Sequence, residues 1–69
     1  MNQNILEGKW KQLRGSLREK WGQLTDDEVD QIAGKRDRLS GFLQEKYGYS
    51  QVEAEQQIDD FLENWDLTD

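Results

Sequence analysis

The sequence predicts an all-α fold, a small bundle of four helices built as two hairpins, and three observations carry that prediction. Apolar residues recur at helical spacing along most of the chain. The stretch GKWKQLRGSLREKWG (8–22) returns without a gap as GKRDRLSGFLQEKYG (34–48), with eight of fifteen positions identical. After each copy comes a capping box, Thr25-Asp-Asp-Glu28 and Ser50-Gln-Val-Glu53, in which the hydroxyl and the carboxylate satisfy each other's helix N–H groups. Two copies are too few for a solenoid. They read as two similar helix-turn-helix units packed on one another, in one domain covering residues 1–69.

The first helix is expected over 4–21. At ~100° per residue, Leu6, Trp10, Leu13, Leu17 and Trp21 share one arc, which places Trp10 in the core. Gly22 follows the last aromatic residue and reads as a left-handed C-terminal cap. Thr25 caps a short second helix over 26–33 carrying Val29 and Ile32, and Gly34 breaks the chain. A third helix over 35–47 holds Leu39, Phe42, Leu43 and Tyr47, with Gly48 as terminator. Ser50 opens a fourth over 50–65, whose apolar face is Ala54, Ile58, Phe61, Leu62 and Trp65. Leu13, Leu17, Trp21, Leu39, Leu43, Ile58 and Phe61 are expected to be buried together.

Gly8, Gly15 and Gly41 fall on the faces opposite these stripes. Each costs about 1 kcal/mol relative to alanine in a helix interior. Two readings stay open. The glycines are a neutral feature of a solvated face or admit a second helix there, or they keep the fold marginal so that it orders with conditions.

Charge alternates along the chain. Residues 1–24 hold five Lys/Arg against two Asp/Glu, and residues 25–34 hold four acids and no base. Residues 35–48 hold four bases against two acids, and residues 49–69 hold seven acids and no base. Each repeat is therefore a basic arm followed by an acidic one. Complementary packing within the domain accounts for this. The alternative is that Lys9, Lys11, Arg14, Arg18 and Lys20 form an interaction surface for an anionic partner.

Catalytic chemistry finds little to use. The chain has no cysteine and no histidine, which rules out thiolate nucleophiles and the commonest general base and leaves zinc without its usual ligands. Asp26, Asp27, Glu28 and Asp30 suit a helix N-terminus, where negative charge is stabilised. Their spacing lacks the EF-hand pattern for calcium. Ser16, Ser40 and Ser50 have no histidine to activate them, and the glycine spacing matches no phosphate-binding loop. The expectation is a protein that is not an enzyme, with no catalytic, cofactor or metal residues.

A net charge of −6 and a pI near 4.5 oppose phosphate attraction, which argues against a nucleic-acid partner. Surface binding to a membrane by the amphipathic first helix is a lesser reading. The longest apolar run is two residues, so no transmembrane segment is expected. The N-terminal MNQNILEGK has neither a basic n-region nor an apolar h-region, which makes the cytoplasm the expected location.

The runs GKWKQLRGSLREKWGQLTDDE and GKRDRLSGFLQEKYGYS resemble the CsbD-like family of small bacterial proteins, over about residues 3 to 65. The GKW start, the WG-x-LTDD turn and the GKRD…YGY segment carry the resemblance. It implies a general stress-response role of the osmotic and stationary-phase type, with no established molecular activity. It also implies a fold of two roughly orthogonal helical hairpins, similar to SAM-domain-like folds. No site residues come with it. The family often has lysine where Ser16 and Phe42 stand here, so these faces are less basic than the family pattern. Glycine content together with a mean hydropathy of −1.11 is also similar to hydrophilins, which protect other proteins under water stress. Two mechanisms follow: a broadly acting protectant, or a specific interaction module using the basic first helix or the acidic fourth. Weak protein partners are the class left open.

Overall fold

The computed structural model describes the backbone of residues 3–68 and the side chains of residues 6–65. Those residues form five α-helices and no strand: α1 (Gln3–Gly8), α2 (Trp10–Lys20), α3 (Asp26–Ile32), α4 (Arg36–Tyr47) and α5 (Gln51–Thr68).

The helix expected over 4–21 is two helices. Lys9 leaves helical geometry at φ −115° and ψ 23°, and its carbonyl opens α2 by accepting the N–H groups of Gln12 and Leu13. The break has a tertiary cause. Leu6 is fully buried, and Lys35 pairs with Glu7 at 2.8 Å, which docks α1 on the start of α4. A glycine at position 8 makes the change of direction cheap, because it loses most entropy in a helix. Gly8 thus ends a helix rather than weakening the middle of one.

The turn after α2 also departs from expectation. Gly22 is not left-handed; the left-handed glycines are Gly34 (φ +80°) and Gly48 (φ +71°). The chain leaves α2 through Trp21 at φ −117° and ψ 78°, and Leu24 donates its N–H to the Trp21 carbonyl. Trp21 and Leu24 are both buried, so the turn is set by two side chains entering the core.

Both capping boxes are formed. Thr25 donates its N–H to Glu28 at 2.9 Å, and its hydroxyl accepts the Glu28 N–H at 3.2 Å. Ser50 and Glu53 do the same at 2.9 and 3.1 Å. Between α3 and α4 the backbone takes two consecutive left-handed residues, Ala33 at φ 48° and Gly34. A Cβ on Gly34 would lie 3.1 Å from the Glu7 Cα, so glycine is favoured there by both conformation and room.

The core joins all five helices. Leu6, Leu13, Leu17, Val29, Ile32, Leu39, Leu43, Ala54, Ile58 and Leu62 are fully buried, with Trp21, Leu24 and Phe61 nearly so. The seven residues expected in the core are all there. Trp10 is an exception to the first-helix stripe, since it is only half-buried at the core margin. The radius of gyration is 10.8 Å, against about 11 Å for a compact chain of this length.

Candidate interaction surface

The surface is shaped by where the two basic arms send their charges. In the first repeat, two arginines one turn apart on α2 meet two aspartates one turn apart on α3, in opposite order along the chain. Arg14 pairs with Asp30 at 2.6 Å, and Arg18 pairs with Asp26 one turn on. Both pairs are well exposed, and such pairs contribute about 0–1 kcal/mol each. Their effect is on charge more than on stability, because two cations of the candidate surface already face carboxylates.

The remaining cations of that set are dispersed. The Lys9 ammonium lies 5.9 Å from the centre of the Trp65 ring, and Lys20 lies 5.5 Å from that of Trp21. Lys11 is exposed. The five residues thus share α2 and its start without forming one surface: Arg14 and Arg18 face carboxylates, Lys9 and Lys20 lie by indole rings, and Lys11 is exposed.

The second repeat solves the same problem differently. The positions matching Arg14 and Arg18 are Ser40 and Gln44, and here they bond each other, the Gln44 amide donating to the Ser40 hydroxyl at 3.1 Å. Ser40 is buried, so an arginine there would have to hide its charge. The pairing moves to Arg36, the residue matching Trp10. Its Nε donates to Glu55 at 2.6 Å, and its Nη2 donates to the Glu55 carbonyl at 3.1 Å and to Asp59 at 2.7 Å. The Arg36 side chain is only 17% exposed. Burial pushes its pKa down, but the hydrogen bonds to Glu55 and Asp59 more than reverse this and leave it raised. Its Nη1 has no acceptor among the described residues. Sequence reading missed this cluster, although a signal was present: an arginine stands on the core stripe where the first repeat has tryptophan.

A further pair, beside Lys35–Glu7, joins the two halves of the chain. Lys46 reaches Glu28 at 2.7 Å, on the carboxylate whose other oxygen closes the Thr25 capping box. The Lys46 hydrogen bond, followed by the Thr25 N–H, holds the Glu28 carboxyl below the usual carboxylate range.

Two open grooves lie on repeat-equivalent faces. One, of about 510 Å³, is lined by Gln31 of α3 and by Arg38, Gly41, Phe42 and Glu45 of α4. The other, of about 390 Å³, runs between α2 and α5 and includes Ser16 and Glu19, the counterparts of Phe42 and Glu45. Among the described residues, no three acidic side chains converge as a metal site, and no helix is long and apolar enough to cross a membrane.

These features define a small, acidic, all-helical protein with an internal sequence repeat, in which several cations of the basic segments pair with carboxylates of the acidic ones. The chain belongs to the CsbD-like family, whose model matches residues 4–56. It is 49% identical over 61 residues to the UPF0337 protein PA4738 of Pseudomonas aeruginosa, covering 88% of this chain and 94% of that protein. It is 46% identical over 66 residues to the UPF0337 protein YjbJ of Escherichia coli, covering 96% of each. The UPF0337 protein NE2439 of Nitrosomonas europaea is 48% identical over 66 residues, which cover 96% of this chain and 70% of that protein. No solved structure matches the chain significantly.

Proposed function

We propose that this chain is a non-enzymatic general stress-response protein of the bacterial cytoplasm, acting as a hydrophilin-like protectant under osmotic or stationary-phase conditions. The observation that carries the reading is the internal closure of charge. Arg14, Arg18 and Arg36 are engaged by Asp30, Asp26, Glu55 and Asp59. An anionic partner would have to displace those carboxylates, whereas a protectant needs only a hydrated, well-solvated exterior. Membership of the family supports the stress-response context. We read the fold as two hairpins, α2–α3 and α4–α5, packed across each other in the SAM-like manner that the resemblance implies.

The test has two arms. Purified protein is added to a dilute reporter enzyme, which is dried or salted and then assayed against an equal mass of serum albumin. Protection beyond albumin supports the reading. In parallel, the tagged protein is recovered from osmotically stressed cells. One stoichiometric partner, lost when Lys9, Lys11 and Lys20 or the acidic face of α5 is neutralised, would replace the protectant reading with a specific interaction module.

A further inference from the structure

The groove on α4 has an order that its counterpart on α2 lacks. Four of its lining residues are Arg38, Gly41, Phe42 and Glu45, spaced i, i+3, i+4, i+7 on one face of the helix. Read backwards, the same positions present an acid, an aromatic ring, an open glycine and a base. The set is complementary to its own reversal. An antiparallel copy centred between positions 41 and 42 brings Arg38 opposite Glu45, and Phe42 opposite Gly41, twice over.

We infer that this face of α4 binds a second copy of the same chain, as a two-fold dimer with the two α4 helices antiparallel. The features needed are in place before association. Gly41 is exposed, and a Cβ built on it would meet nothing within 4 Å, so the backbone there is open to an incoming ring. Phe42 is half-buried, anchored against the core with the rest of its ring in the groove. Arg38 is steadied by donating its Nη1 hydrogen to the Gln31 carbonyl at 2.8 Å. Arg38 and Glu45 lie seven residues apart, about 10 Å along the helix, so both ion pairs form in one alignment. An isologous contact of this kind is the commonest form of homo-oligomer.

The first repeat is the internal control. Its matching positions are Gln12, Gly15, Ser16 and Glu19. Reversal sets glutamine against glutamate and serine against glycine, which offers neither an ion pair nor a ring. The inference accounts for Gly41 and not for Gly15.

A contact along one helix is small, so the dimer belongs to the weak, transient class, with Kd on the order of 0.1–1 mM. Sedimentation equilibrium across a concentration series to about 1 mM, in about 0.15 M salt that screens the repulsion of two like-charged chains beyond about 8 Å, reads it directly. The wild-type chain is expected to rise from its monomer mass of 8.2 kDa toward twice that value. R38E and E45R each set like charges face to face, and each should weaken association at least about tenfold. Circular dichroism verifies that both stay folded.

The decisive measurement is their equimolar mixture. The new carboxylate of one variant meets the new guanidinium of the other, so association returns, as it should in the double variant R38E/E45R. F42S should stay monomeric. A wild-type chain at monomer mass throughout overturns the inference. So does a wild-type dimer that R38E and E45R leave intact, or that their mixture fails to restore.

Discussion

The Tyr47 hydroxyl accepts the backbone N–H of Gln23 at 3.1 Å, tying the end of α4 to the turn that follows α2. Tyr47 also stacks on Tyr49, with ring centres 5.6 Å apart and planes 16° from parallel. The tie links the corresponding ends of the two repeats. Y47F keeps the stack and removes the acceptor. It is expected to lower stability by about 0.5–1 kcal/mol, measured by urea unfolding, with faster hydrogen exchange at the Gln23 amide. Unchanged exchange there would show that the bond does not persist in solution.

The glycines are expected to separate by backbone conformation. Gly15 and Gly41 lie inside α2 and α4 with open space around them, so G15A and G41A should each stabilise by about 0.4–1 kcal/mol. G22A should be close to neutral, since its φ is not positive and nothing stands within 4 Å. G48A should destabilise because of its left-handed φ. G34A should cost most, adding a close approach to the Glu7 backbone to the same strain. Thermal midpoints of the five variants test the ranking. Unchanged osmotic tolerance in cells carrying G15A and G41A would remove conditional folding as a function.

Acid should act through Glu28. Its carboxyl is held below the usual range by Lys46 first and by the Thr25 N–H second. The unfolded chain therefore binds that proton more tightly than the folded one. The stabilisation is complete above the unfolded value of about 4.3 and is lost as pH falls through the lower, folded value. E28Q should be less stable than wild type at neutral pH, and the gap should close as the pH drops below that window. A gap that stays constant with pH would assign the loss to shape instead of charge.

Arg36 should be the most costly of the cations to truncate. R36A leaves Glu55 and Asp59 without their shared donor and is expected to cost about 1–3 kcal/mol. R36K keeps the charge but not the planar fork that spans both carboxylates, so it should fall between R36A and wild type. Chemical denaturation of the three proteins, with R14A as the exposed comparison, would show the order. An R14A loss as large as that of R36A would mean that burial does not govern these pairs.

The core was legible because helical period and burial are local properties of the chain. Leu13, Leu17, Leu39, Leu43 and Ile58 can be read from spacing alone, and so can both capping boxes, whose partners sit three residues apart. The cationic surface was legible only as a list of charges. Whether Arg14 and Arg18 face solvent or Asp30 and Asp26 depends on how α3 folds back on α2, and no spacing within α2 encodes that.

By itself the sequence determined that the chain is helical, duplicated, and punctuated by Thr25, Ser50 and Gly48, since each of these rests on contacts within a few residues. Only the tertiary structure decided the break at Lys9, the ordinary geometry of Gly22, the left-handed Ala33 and the exchange of a tryptophan for the Arg36 cluster. At Lys9 and in the turn after α2, contacts distant in sequence accompany the departure from local expectation. Leu6 and Glu7 pull α1 onto Gly34 and Lys35, and Trp21 and Leu24 draw the turn inward. Burying an apolar side chain is worth about 1.5–3 kcal/mol, more than the roughly 1 kcal/mol by which local propensities differ, so where the two conflict the packing prevails.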